Sequence, residues 1–407
     1  MSSRLSPREP LTAGPLGRPR EMARSIGSAR ADKKVWIDGE PFETDAFDAP
    51  LRSPRKGRGA IGNLSGRFEP LQRESVDDGW GGLDEIEALR TTVTPERART
   101  IITRNESPDI SFDRSINPYR GCEHGCVYCF ARPTHAYMGL SPGLDFESRL
   151  FVKEGAAEQL ERELAAPNYS PRTIAIGTNT DPYQPIERER RVMRSILEVL
   201  SRANHPVGIV TKSALIARDL DLLGPMAERG LVKVGVSITT LDADLARKLE
   251  PRAASPEKRF ETIGALTAAG VPAGVMVAPV IPALTDHEIE KILSRASAYG
   301  ASEAGYIMLR LPLETRDLFR DWLDAYAPDR AARVMAMTRA TRDGKDYDSR
   351  WGTRMTGEGP YAWMIGRRFE AAAARLGLSG RTRLRNDLFT RPARPARGVS
   401  RDQLTLF

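Results

Sequence analysis

Residues 121–129, GCEHGCVYC, carry all three cysteines of a 407-residue chain, Cys122, Cys126 and Cys129, at the spacing Cys-x3-Cys-x2-Cys. An odd number of thiols confined to one loop cannot be a disulfide framework, because one is left unpaired and none bridges distant segments. They read as metal ligands. A structural zinc would take the three thiolates with His124 or His135 as the fourth ligand, although zinc sites usually draw on two ligand sets separated along the chain. A [4Fe–4S] cluster is normally held by four Cys, so three from one loop would leave one iron open to another molecule.

Outward from this loop, the chain alternates short apolar runs with amphipathic ones. TIAIGTN (173–179), PVGIVTKS (206–213), VKVGVSITT (232–240), VPAGVMVAPVI (271–281) and EAGYIMLRLP (303–312) read as strands covered on both faces. Between them, ERERRVMRSILEVLSRA, LIARDLDLLGPMAERG, SPEKRFETIGALTAAG and TDHEIEKILSRASAYG repeat apolar residues at helical spacing. This alternation predicts an α/β fold with a parallel sheet, in which functional groups gather at the C-terminal strand ends.

With the aromatic Tyr128 before its last cysteine and FDRSINPYRG ahead of it, the loop resembles the hallmark of radical S-adenosylmethionine (SAM) enzymes. Residues 112–312 are similar to the branch that includes spore photoproduct lyase. The resemblance implies a partial (β/α)6 barrel over 112–314, its first strand around SINPYRG. It also implies a [4Fe–4S] cluster on Cys122, Cys126 and Cys129, SAM on the open iron, and an electron donor such as flavodoxin or ferredoxin. Lys212 and Ser237 would reach the methionine carboxylate and the ribose, with Arg252 as a further contact to the carboxylate. Tyr128, Thr178, Asn179 and Asp181 are expected to meet SAM or substrate at the mouth, although Asn179 and Asp181 also suit a turn and a helix cap. The lyases carry a fourth cysteine where this chain has Thr178. A Thr O–H bond is too strong to give up hydrogen readily, which leaves Tyr183 as a candidate donor.

Residues 1–60, rich in Pro, Gly, Ser and Arg, are expected to be disordered and 61–111 to extend the core. Residues 315–390 read as a helical extension and 391–407 as a flexible tail. Seven Arg against one Asp in 381–401 place +6 of the net +7 near the C-terminus, a charge suited to a polyanion such as DNA. The last five residues, with Gln403, Leu404, Leu406 and Phe407, resemble the peptide by which bacterial polymerases and repair proteins bind the sliding clamp. No apolar stretch reads as a membrane span or secretory signal, so a cytoplasmic location is expected. Three functions fit: a radical SAM enzyme acting on DNA or a DNA lesion, one acting on RNA, a peptide or a metabolite, and a non-catalytic iron–sulfur or zinc adaptor between DNA and clamp.

Overall fold

The computed structural model describes residues 54–69 and 89–393, together with the backbone of two short strands, β1 (Val35–Ile37) and β2 (Glu40–Phe42). These two pair antiparallel in a unit of their own. The expectations for the other residues before 54 and for the tail beyond 393, including the clamp-like pentapeptide, lie outside the described residues.

Ten further strands follow: β3 (Thr92–Arg97), β4 (Ile102–Arg104), β5 (Arg114–Ile116), β6 (Tyr119–Arg120), β7 (Arg149–Glu154), β8 (Ile174–Ile176), β9 (Val207–Thr211), β10 (Val232–Ser237), β11 (Ala273–Val280) and β12 (Glu303–Met308). The main sheet runs β12-β11-β10-β9-β8-β5-β4. Its six strands from β5 to β12 are parallel, in chain order, and β4 lies antiparallel at the edge. This is the expected succession of β/α units, closed at each step by a helix whose apolar stripe faces the sheet. In Val192–Arg202, for instance, Met193, Ile196, Leu197 and Leu200 are fully buried, each worth about 1.5–3 kcal/mol of apolar burial. The helix expected over 187–203 is broken at Arg191, whose φ of 51° ends one turn and starts the next.

The strands were expected to be covered on both faces, and here the structure differs. Along β9, β10 and β11 buried positions alternate with half-buried ones. The half-buried set includes Val210, Gly235 and Met276, and a Cβ at Gly235 would stand 3.4 Å from Met276 and 3.6 Å from Val210. One face packs on helices; the other faces inward and is only half covered, with glycine at its centre. The two ends of the sheet are also bridged by residues 352–355. The backbone of Met308 in β12 bonds to Met355, and beside it Arg354 and Gly352 bind Asp109 in the β4–β5 connection. The sheet is therefore curled into a partial barrel.

A small second sheet, β3-β7-β6, flanks the barrel, with Pro95 tolerated on its edge strand. The helices Glu314–Tyr326 and Pro328–Ala340 cover the cysteine loop, where Phe319, Trp322, Leu323 and Val334 share a core with Cys126, Val127 and Tyr128. Residues 379–391 then cross the N-terminal ends of the strands. They bond to Glu303 and Lys233 through Thr382, to Gly230 through Arg385 and to Ala203 through Thr390. One domain boundary needs correction: residues 58–62, expected to straddle the end of a disordered region, are buried. A Cβ at Gly59 would lie 1.8 Å from the carbonyl of Gly125, so only glycine allows this segment to lie against the cysteine loop.

Candidate cluster and cofactor site

The cysteine loop leaves β6 at the C-terminal end of the barrel and is held mainly by its own backbone carbonyls. Arg132, fully buried, donates from Nε to Cys126 O (2.9 Å) and from its terminal nitrogens to Gly125, Pro142 and Gly143. Its charge is met by Glu147 at 2.5 Å, also fully buried. The same carboxylate accepts from the backbone N–H groups of Gly59 (2.9 Å) and Ala60 (2.8 Å). A single ion pair thus fixes the loop and ties the N-terminal segment across it.

All three thiols are free. Burial pushes each of them up. Around Cys122 the charges of Asp181, Cys126 and Cys129 add to that rise, while Lys212 opposes it at Cys126 and Cys129. Three thiolates in such a place require cationic compensation, and an iron–sulfur cluster provides it. The zinc alternative fares worse. His124 Nδ1 faces Asp181 at 3.4 Å. His135 donates from Nε2 to Arg149 O, lies edge-on to Phe146 and Phe151, and is held near 4 by burial. Among the described residues no three His, Cys, Asp or Glu side chains are grouped to hold one metal ion. A cubane cluster takes one thiolate per iron and does not need the sulfurs gathered on a single atom.

Lys212 and Ser237, at the ends of β9 and β10, come together: Nζ donates to Ser237 Oγ at 2.8 Å. Behind them stands a buried group that sequence reasoning missed. Glu250 is paired with Arg259, accepts from Tyr128 and from Thr239 (2.6 Å), and has Lys212 4.0 Å away. Burial would raise its carboxyl, but the charges of Arg259 and Lys212 outweigh this and hold it at about 2. Tyr128 therefore links the cysteine loop to this ion pair, and Lys212 lies 5.9 Å from its ring centroid.

The remaining sequence candidates separate into two groups. Among the described residues, the half-buried Thr178 and Asn179 have no side-chain hydrogen bond, and they follow Gly177, where a Cβ would meet Val210 O at 2.0 Å. Asn117, just past β5, has a buried Oδ1 without a partner. The other three are committed elsewhere. Asp181 accepts from Thr211 (2.8 Å), Lys212 N (2.7 Å) and Tyr183 N (2.9 Å), and is held at about 2 against the upward effect of burial, first by the charge of His124. It joins the β8 and β9 ends to the loop. Arg252 pairs with Glu123 at 2.9 Å and clasps the loop rather than presenting a free cation. Tyr183 is fully buried and donates to Asp219 at 3.1 Å, so its hydroxyl is not offered to the mouth.

Comparison with known proteins agrees with this geometry. A family model described as the radical SAM superfamily matches residues 116–296. An uncharacterized protein of Mycobacterium tuberculosis is 37% identical over 277 residues, covering 65% of this chain and 82% of the relative. An uncharacterized protein of Methanocaldococcus jannaschii is 29% identical over 173 residues, covering 42% of this chain and 62% of its own. Among solved structures, a cysteine-to-serine mutant of spore photoproduct lyase superposes with a TM-score of 0.50 at 14% identity, over 70% of this chain and 79% of the lyase. At that identity the likeness is one of fold.

Proposed function

We propose, of a chain that belongs to the radical SAM superfamily, that its chemistry is directed at DNA or a DNA lesion. The family brings a [4Fe–4S] cluster and SAM, with Cys122, Cys126 and Cys129 as the cluster ligands. When bound, these groups supply reductive cleavage of SAM to methionine and a 5′-deoxyadenosyl radical that takes hydrogen from a substrate.

The chain's own residues position and shield. In this proposal Lys212 turns its ammonium from the Ser237 hydroxyl to the methionine carboxylate, a charge-assisted contact stronger than the one it leaves. Ser237 and the unpartnered Thr178 and Asn179 accept and donate around the ribose or the substrate. The Glu250–Arg259 pair holds Tyr128 and Thr239 in place, and the helices behind Cys126 exclude water. A flavodoxin- or ferredoxin-like donor supplies the electron. Thr178 stands where the lyases have a hydrogen-donating cysteine, and Tyr183 is committed to Asp219. The proposed reaction therefore does not return hydrogen through either residue.

The observation that carries the DNA reading is an exposed aromatic platform beside the cysteine loop. Phe68 and Tyr137, 56% and 70% exposed, stack with centroids 5.4 Å apart. The Arg67 guanidinium, paired with Glu314 at 2.5 Å, lies 5.3 and 5.7 Å from the two rings. Tyr137 belongs to the turn Arg132–Met138 that leaves the loop. Aromatic faces with an adjacent cation are what bases of a single strand stack on. The fold shared with an enzyme named for a DNA photoproduct is in keeping, as is the Arg-rich tail. That tail leaves the described residues near Ala166 and Tyr169, on the face opposite the mouth. Reconstituted protein should form 5′-deoxyadenosine faster with ultraviolet-irradiated or unmodified DNA than with RNA or with no polymer. Equal rates in all four reactions would refute the DNA reading.

A further inference from the structure

Several arginines that follow the end of β12 are neutralised by carboxylates. Arg350 pairs with Asp348 and Glu358, Arg339 and Arg320 share Asp346, and Arg354 binds Asp109. Arg310 differs from these. It lies two residues past β12, between Leu309 and Leu311, whose burial in the core beneath the cysteine loop turns the intervening side chain the other way. Its guanidinium stands 4.8 Å from the ring centroid of Phe130, the residue after Cys129. The two polar contacts it makes, to Met355 Sδ and Tyr347 Oη, are both 3.5 Å long. Its Nε is buried with no partner, and among the described residues no carboxylate pairs with it.

A second cation sits behind the first. Arg342 is 1% exposed and rests on four backbone carbonyls, those of Thr353, Arg354, Leu309 and Met308, with no paired carboxylate among the described residues. Burial, and then the charge of Arg310, lowers its pKa to about 10. The charges of Arg310 and Arg342 oppose one another, Asp348 and Glu358 offset this in part, and an anion joining the two guanidinium groups would relieve it. A guanidinium fork suits the paired oxygens of a phosphate, and stacking on Phe130 fixes its plane.

We propose that Arg310, stacked on Phe130 and backed by Arg342 at the barrel mouth, binds a backbone phosphate of the nucleic acid next to the reacting nucleotide. This rests on the DNA reading above and adds to it the group that sets the register of the strand. Because phosphate contacts position without reading sequence, the site predicts a substrate chosen by chemistry at one nucleotide rather than by flanking bases.

The test is binding of a fluorescently labelled single-stranded DNA to the full-length, cluster-loaded protein, followed by anisotropy across a range of salt concentrations. Arg310→Gln should weaken binding about tenfold at low salt and make the dependence of log K on log salt shallower by about 0.7, the loss of one phosphate contact on a single strand. Arg310→Lys should keep the slope, and iron content and SAM binding should match the parent in both variants. Parental affinity and slope in Arg310→Gln would overturn this inference alone. A parent protein that binds no DNA would overturn the DNA reading and this inference with it.

Discussion

The two ends of one sheet treat the same residue type in opposite ways. At the N-terminal end, Lys233 of β10 meets Glu303 at 3.2 Å and Thr382 O at 3.1 Å. The strap over 379–391 satisfies the neighbouring carbonyls, and His205 bonds to Tyr169 at 2.7 Å beneath Phe389. At the C-terminal end, Lys212 has a hydroxyl at 2.8 Å and its closest carboxylate oxygen only at 4.0 Å. There Asn117 and Arg310 keep buried atoms without partners. One end is finished by the chain itself; the other is arranged for molecules the chain does not contain. In barrels of this kind the first arrangement serves stability and the second serves function.

The sharpest way to break this contrast is through the pair that supports the mouth from behind. Glu147→Ala leaves Arg132 buried and uncompensated and frees two backbone donors. It should cost about 3–5 kcal/mol in urea unfolding and release cluster iron. A variant with parental stability and iron would show that the loop holds itself. At the other end, His205 is kept neutral by burial at a pKa of about 4. In the unfolded chain it protonates near the ordinary value of about 6.5. The unfolded state therefore binds more protons between these values, so the stability this group contributes is complete above about pH 6.5 and is lost as pH falls towards 4. From pH 7 to pH 5 that loss should be about 2 kcal/mol, and His205→Phe should remove it from the measured pH dependence while leaving SAM affinity unchanged.

The two lysines give the finest comparison. Lys212→Ala should weaken SAM binding about tenfold with the cluster intact, an effect of about 1.4 kcal/mol. Lys233→Ala removes a partly exposed pair, should cost no more than about 1 kcal/mol of stability, and should leave SAM binding as it was. Calorimetric titration with SAM and urea unfolding of both variants would show it; a reversed pattern would remove the distinction between the two ends.

What the sequence made legible follows from where the partners lie. The cysteine loop is legible because its ligands are close along the chain. Lys212 and Ser237 are legible because parallel strands bring successive C-terminal ends side by side. The alternation of Val and Gly in β9 to β11 was open to two readings: apolar on both faces, or core on one face and a half-covered inward surface on the other. Only the half-buried positions of Val210, Gly235 and Met276 decide between them. Glu147 with Arg132 and Gly59, and Glu250 with Tyr128, were not legible, since contacts across 15, 88 and 122 residues leave no periodicity. Asp181 and Arg252 were expected to meet SAM or substrate, but residue type alone could not reveal that His124 and Glu123 already occupy them.

The central claim is that three cysteines hold a cluster with one iron left open to SAM. Anaerobic reconstitution followed by iron analysis and chemical reduction in the presence of SAM tests it most directly. The account predicts a brown protein with about four irons per chain that forms 5′-deoxyadenosine, and loss of both iron and product in Cys126→Ala. A colourless protein that retains zinc and forms no 5′-deoxyadenosine would contradict it.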